Sequence, residues 1–489
     1  MSATETTPNQ PSLLDALVPT GSLITLLALS VYLFGEDSSY GANQIALILC
    51  AFVAAGVGLK NGQRWADIET ALLGGINMAM GAVLILLAVG ALIGSWILSG
   101  TVPAMIYYGL KLMDPSWFYA SSCLVCALIA LSIGSSWTVA GTIGVGFIGV
   151  AGGLGLSVEI TAGAIISGAY FGDKMSPLSD TTNLAPASVG VGLFEHIRHM
   201  LWTTVPSITL ALVGFSIIGL NTEIENNSAQ IAALLQQLDQ QFTINLLALA
   251  PLLLVLLLAW RRVPAFPSII IGALGGCLIA LLMQRSVVIA FTDDNTLAPA
   301  MAILKGIWIA LFDGYSATTG NKQLDTLLSR GGMSSMLNTV WLIISAMIFG
   351  AAMESTGLLR RLVSGALAWV DSSTSLIIVT LLTCFGANIV TADQYISIIL
   401  PGRMFKLEFE RRNLAAINLS RALEDSGTVT SPLVPWNTCG AYMAGTLGVA
   451  TFAYLPFCLF NLITPLISAS YALLKFQIVP LDREASTPS

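Results

Sequence analysis

The chain has 489 residues, 20 of them Lys or Arg and 27 Asp or Glu, for a net charge of −7. Charged residues make up 10% and hydrophobic residues 55%, against roughly 25% charged in an ordinary soluble domain. A soluble enzyme, a disordered chain and a nucleic-acid binder are thereby excluded. The mean hydropathy of +0.81 instead fits an all-α polytopic membrane protein. The apolar runs at 79–98 and 247–260 are long and continuous, unlike the ~10-residue alternating strands of a β-barrel. A spanning helix takes ~20 apolar residues, so the length allows about ten to twelve spans. Forty-five glycines suit close helix packing and broken helices in lipid.

In chain order, a polar tail at 1–12 comes first. Its first ten residues contain no Lys or Arg, so no cleaved signal peptide is expected. N-terminal spans fill 13–75, a first transport repeat 76–220, and linking spans with a surface segment 221–335. A second repeat occupies 336–475 and a polar tail 476–489. Candidate spans run over 13–34, 40–59, 76–98, 117–134, 137–154, 158–171, 201–220, 242–260, 266–284, 336–356, 374–387, 389–402, 438–456 and 457–475. Several of these are too short to cross a bilayer alone. The basic clusters Lys60/Arg64, Arg261/Arg262, Arg360/Arg361 and Arg403/Lys406/Arg411/Arg412 mark one side as cytoplasmic, and the N-terminus with it. The segments 35–40 and 221–241 lack Lys and Arg and belong outside.

The two halves resemble each other. Ser176-Pro177-Leu178 recurs as Ser431-Pro432-Leu433, an offset of 255 (431 − 176). Gly100, Gly109 and Asp114 match Gly357, Gly365 and Asp371 at 256–257, and the stretch 134–140 aligns with 386–392 at 252. Arg360/Arg361 and the 403–412 cluster have no basic counterparts at the matching positions of the first copy. Equivalent loops should therefore face opposite sides, which makes the halves inverted-topology repeats of the secondary-transporter type. Each copy has two short apolar segments joined at a polar tip, at 134–138 and 386–391. These read as re-entrant hairpins, whose unpaired backbone groups need partners inside the protein.

The stretch 168–183 (GAYFGDKMSPLSDTTN) concentrates the polar chemistry. Pro177 breaks the helix and frees carbonyls. Asp173, Ser176, Asp180, Thr181 and Asn183 add oxygens suited to a hard monovalent cation such as Na+. The second copy contributes Asp425, Ser431 and Asn437, and Asp393 follows the second tip, with Gly141 as its counterpart. Carboxylates at membrane depth default to function. Lys174 is expected to pair with Asp173 or a neighbouring carboxylate. Glu354 fits a surface or a functional position equally. His196 and His199, three apart, read as part of a solvated juxtamembrane helix with Glu195 and Arg198. The cysteines, including the Cys123/Cys126 pair, read as small buried apolar residues.

The motifs GDKMSPLSDTTNLA (172–185), SSWTVAGTIG (135–144), RGGMSSM (330–336), TADQYISI (391–398) and EDSGTVTSPLVPWN (424–437) resemble the NhaC family of Na+/H+ antiporters. The matching motifs span about residues 70–460. The resemblance implies a multi-pass carrier of the bacterial inner membrane, a homodimer in the lipid bilayer with paired re-entrant hairpins. It implies no cofactor beyond the transported Na+ and H+, no enzymatic activity and no nucleic-acid partner.

The function expected on this basis is exchange of Na+ for H+ at buried carboxylates. Asp173, Asp180, Asp393 and Asp425 are the candidate Na+ ligands. Ser135, Ser136, Thr138, Thr142, Ser176, Thr181, Asn183, Asn388, Thr391, Ser431 and Asn437 are the candidate neutral ones. The alternative is Na+- or H+-coupled transport of an organic anion of the malate or lactate type, or of an amino acid.

Overall fold

The computed structural model describes residues 9–35, 38, 40–222, 228–294 and 296–481. Among these the regular structure is helical, and the only β-pairing is two isolated bridges, Tyr315 to Arg330 and Leu414 to Pro480. Nine helices in the described residues are long and apolar enough to cross a membrane, and up to eleven if two bent pairs each count as one span. Large apolar side chains such as Leu14, Ile24, Phe52 and Leu253 are more than half exposed on their outer faces. That arrangement suits lipid and not water. The chain is a polytopic α-helical membrane protein.

The N-terminal spans Leu13–Phe34 and Ala42–Lys60 pack together. Ser12 and Asp15 form a capping box, and Lys60 donates to Asp15 at 2.6 Å, tying the two spans at one end. The third helix, Trp65–Leu98, is 34 residues long and begins well before the span expected at 76–98. The linking region holds the bent pair Ile231–Gln241 and Leu246–Trp260, turned by 87°, then Ala265–Met283 and Pro299–Phe312. Of the tails, residues 1–8 and 482–489 lie outside the described residues, as do 223–227 of the expected outer loop.

The repeat is clearer in three dimensions than in sequence, and its register differs. In the first copy Phe118–Ile133 ends at Gly134, whose φ of +71° is left-handed, and Ser135 caps the next helix. In the second copy Ser373–Thr391 runs unbroken through Gly386. The break comes at Ala392, with φ +56°, and Asp393 caps Gln394–Arg411 by accepting from Ile396 N at 2.9 Å. The second tip is therefore at 392–393, not 386–391, and the two segments meet there and not at 388.

The structural offset is 258 (392 − 134). It also relates two ten-residue helices, Asp180–Val189 and Thr438–Leu447, each ended by a left-handed glycine, Gly190 and Gly448. Asp393 thus corresponds to Ser135 and not Gly141, and Ser431 to Asp173. The matching Ser-Pro-Leu tripeptides sit three residues out of this register. Glycine matching misled because Gly386 is an ordinary helix residue with open space around it. The turn at Ala392 is held instead by the Asp393 cap. The segment 438–456 is likewise no single span, since its first helix stops at Leu447.

In the first copy, Val158–Met175 lies along Phe118–Ile133 at glycine-limited distance. A β-carbon at Gly168 would stand 2.0 Å from the Cys123 carbonyl oxygen, and one at Gly172 would stand 2.4 Å from that of Ala127. Gly168→Ala should lower the thermal midpoint in detergent, since overpacking a close contact costs about 1–3 kcal/mol. Gly74→Ala, on a helix face with nothing within 4 Å, should be neutral or stabilising by about 1 kcal/mol through helix propensity. Equal midpoints for the two variants would show that the helices do not pack this closely.

Candidate functional site

Pro177 has the effect its chemistry predicts. The helix Val158–Met175 ends at Ser176, and a new helix starts at Asp180. The break turns two aspartates towards the first tip. Asp173, 8% exposed, accepts from Ser136 Oγ at 2.6 Å and from Ser136 N at 3.2 Å. Its carboxylate thus fills the unpaired N-terminal position of the Ser136–Leu154 helix, where backbone N–H groups and the helix dipole favour negative charge. Ser135 Oγ accepts from Thr138 N and Thr138 Oγ1, and Thr142 Oγ1 donates to the Thr138 carbonyl. A π-helical turn at Ala140–Gly144 follows, a distortion often found at functional positions.

These groups border a cavity of about 540 Å3 between the two repeats. Asp173, Asp180, Ser135, Ser136, Ser179 and Thr181 come from the first copy. Asp393, Gln394, Tyr395, Thr438 and Cys439 come from the second. Of these carboxylates Asp180 is exposed, Asp393 half-buried and Asp173 buried. No Lys, Arg or His lines the cavity. Among the described residues no three His, Cys, Asp or Glu side chains gather as a metal site, so a cation held here would share its ligands between carboxylates, hydroxyls and carbonyls.

The repeats interlock around the cavity. Trp137, beside the first tip, stacks on Tyr442 with ring centroids 4.0 Å apart and an 11° interplanar angle. Tyr442 OH donates to the Trp137 carbonyl at 2.8 Å. In the second copy, Asn437 Nδ2 donates to Asn388 Oδ1, and Asn388 Nδ2 donates to the Gly427 carbonyl and Thr430 Oγ1. Thr391 Oγ1 accepts from Asp393 N at 3.4 Å, and Thr438 N donates to the Ala392 carbonyl at the tip. Ser431 Oγ contacts Gln394 Oε1 at 3.3 Å, the second-copy equivalent of the Asp173–Ser136 contact, and Cys439 Sγ donates to the same Gln394 oxygen.

The expected residues therefore divide. Asp173, Asp180, Asp393, Ser135, Ser136 and Thr181 line the cavity. Thr138, Thr142, Asn388, Thr391, Ser431 and Asn437 brace the backbone around it. Ser176 Oγ accepts from Leu178 N within the break. Asn183 is exposed and donates to the Pro177 and Ser179 carbonyls. Asp425 lies outside the cavity, ion-paired with Lys174. Lys174 thus takes a neighbouring carboxylate and not the adjacent Asp173. Glu354 is exposed in a surface recess with Arg360 and Arg361.

The histidines correct the solvated-helix expectation. His196 and His199 are 0% and 6% exposed, and His196 Nδ1 is 2.9 Å from Ser420 Oγ. Glu195 and Arg198 take the exposed face of the same helix. Ser179, Gln394, Tyr395 and Cys439 escaped the sequence reading. The 258-residue register would have found Gln394 as the partner of Ser136, and Ser179 as that of Asn437.

Known proteins are similar to this chain over most of its length. A family model described as "Na+/H+ antiporter family" matches residues 168–476, more than half the chain. The chain is 39% identical over 435 residues to the "Na(+)/H(+) antiporter NhaC" of Alkalihalophilus pseudofirmus, covering 89% of this chain and 90% of the relative. It is 36% identical to the protein of that name in Bacillus subtilis, covering 88% and 92%. It is also 36% identical to the Bacillus subtilis "Malate-2H(+)/Na(+)-lactate antiporter", covering 91% of each. The chain belongs to the Na+/H+ antiporter family.

Proposed function

We propose that the chain exchanges Na+ for H+ across a bacterial inner membrane, through competition of the two ions for Asp173, Asp180 and Asp393. The carrying observation is one cavity whose wall includes these three carboxylates, from both repeats, and no cationic side chain. Carboxylates lining a partly dehydrated space are costly to ionise, and each gains from a bound cation. A Na+ about 4 Å from a carboxylate gains about 4 kcal/mol at the dielectric typical of such sites. A proton neutralises the same oxygen. If the unneutralised site does not cross, binding one ion requires release of the other, and exchange follows. The cation-free wall favours this reading over transport of an organic anion, whose carboxylate would meet like charge here.

Asp173→Asn and Asp393→Asn should each reduce Na+-dependent proton flux in proteoliposomes at least about tenfold, the loss of about 1.4 kcal/mol or more. Asp180→Asn, at the exposed mouth, should mainly raise the Na+ concentration needed. Both inner variants should fold, because Asn keeps the acceptor that caps the helix. Asp425→Asn should instead lower the yield and thermal midpoint, since an unpartnered buried Lys174 costs about 3–5 kcal/mol. Full exchange in all three cavity variants would place the ion elsewhere.

Competition also has a binding signature. As pH falls below the pKa of the shared site, the apparent Na+ dissociation constant should rise about tenfold per unit. Above that pKa it should level off. Calorimetry in buffers of different ionisation enthalpy should register proton release on Na+ binding at low pH, fading at high pH. A Na+ affinity independent of pH, with no proton release, would exclude a shared site and move organic-anion transport to first place.

The inverted orientation of the repeats, and assembly as a homodimer, belong to the same proposal. The αL glycines Gly100 and Gly357 open equivalent helices, but only the second is followed by paired arginines, Arg360 and Arg361. Single cysteines at Ser116 and Ser372, in a background without native cysteines, should react with an impermeant reagent from opposite sides. Labelling of both from one side would rule out inversion.

A further inference from the structure

The motif RGGMSSM (330–336) has no part in the exchange reading, yet it borders a second cavity. This cavity, of about 360 Å3, is lined by Arg330, Gly331, Ser335 and Met336 of the motif, with the exposed Tyr40 in its wall. It uses the same helices as the ion cavity at a different depth. Trp65–Leu98 gives Ile85 to the ion cavity and Ile93 to the second, eight residues (93 − 85) or about 12 Å further along the axis. Thr438 and Cys439 border the ion cavity, whereas Gly445 and Thr446 border the second. The two cavities are thus at opposite ends of the helix Thr438–Leu447.

Glycines carry the motif inwards. Gly331 and Gly332 have left-handed φ of +91° and +81°. Gly332 N donates to the Gly90 carbonyl at 2.7 Å, and a β-carbon at Gly90 would stand 2.4 Å from the Gly332 carbonyl oxygen. The loop is pressed backbone to backbone against Trp65–Leu98, which leaves Arg330 half-buried. Its Nη2 donates to the Leu447 carbonyl at 2.6 Å and so caps the helix Thr438–Leu447. That cap uses one of the five guanidinium N–H groups. Among the described residues the side chain makes no other hydrogen bond and no ion pair. The cavity wall holds no Asp, Glu, Lys or His, so Arg330 is its one charged side chain. A second donor stands nearby. A β-carbon at Gly448 would be 2.0 Å from Arg330 Nη2, and one at Gly445, three residues earlier, 2.8 Å from Thr339 Oγ1. The Thr339 hydroxyl has no hydrogen bond to a described residue.

We propose that this second cavity binds a small monovalent anion, a halide or a planar oxyanion, held by the free N–H groups of Arg330 and the Thr339 hydroxyl. A half-buried guanidinium with no counter-ion is costly, and an anion that enters the cavity removes that cost. Its planar fork suits a planar oxyanion, and its charge suits a halide. A cavity of this size takes a small ligand. The anion is held and not carried, because the charged groups of the ion cavity are carboxylates, which repel it. The proposal does not depend on Na+/H+ exchange: it stands on the cation that the motif places at the far end of the helix.

The test is calorimetric titration of the purified full chain with choline chloride and with choline nitrate in Na+-free buffer. The wild type should bind at least one of them saturably. Tighter binding of nitrate assigns a planar oxyanion and tighter binding of chloride a halide, and either supports the site. Arg330→Gln should weaken binding at least about tenfold, as loss of a charge-assisted hydrogen bond does. Arg330→Lys, which keeps the charge, should bind more tightly than Arg330→Gln. No saturable binding of either anion by the wild type overturns the proposal, and so does equal affinity in Arg330→Gln. Arg330 also caps a helix, so if Arg330→Gln does not fold, Thr339→Val decides: binding weakened about tenfold supports the site, and unchanged binding overturns it. Accumulation of chloride or nitrate in proteoliposomes, driven by a Na+ gradient, also overturns it, since the anion is then cargo.

Discussion

A helix interrupted inside a membrane leaves backbone N–H groups with no water to satisfy them. In this chain aspartates fill that need at both interruptions. Asp173 reaches across from another helix to the N–H of Ser136, and Asp393 caps its own helix at Ile396. Each carboxylate has therefore a structural reason to be where it is and a chemical reason to bind a cation. The helix ends favour its negative charge, while the surrounding protein removes the water that would otherwise stabilise it. Both caps border the same cavity, whose wall has no Lys, Arg or His.

The second consequence concerns charge separation. The helix Val158–Met175 has an acid and a base at adjacent positions, and helical geometry points them in different directions. Asp173 faces an open anionic cavity, whereas Lys174 is sealed against Asp425 behind it. Had Lys174 paired with its neighbour, Asp173 would be neutralised by it and the cavity would keep only Asp180 and Asp393 as free acids. Asp425 holds the lysine in a buried ion pair away from the cavity.

The contact that sets this geometry is steric. Gly168 and Gly172 let the Asp173 helix approach Phe118–Ile133 until backbone meets backbone. That brings Asp173 level with the tip that begins at Gly134. On the other copy no such glycine marks the tip. Ala392 is left-handed because Asp393 and Thr438 satisfy the backbone on either side of it. The same architecture is thus reached by glycine in one repeat and by a capping side chain in the other.

Composition and apolar run length alone determined that this is a helical membrane protein, because a bilayer admits few alternatives. The break at Pro177, the duplication and the polar stretches carrying Asp173, Asp180 and Asp393 were legible too, because proline chemistry and the expense of polar groups in lipid are local properties. The register of the repeat was not. Gly134 and Gly386 look equivalent as letters, and only backbone conformation shows that the second turn lies at Ala392. The partners of charged groups were equally hidden: Lys174 with Asp425, and His196 with Ser420, are more than 200 residues apart in the chain. Which acids face open space and which are sealed in ion pairs is set by how helices distant in sequence pack, and only the tertiary structure decides that.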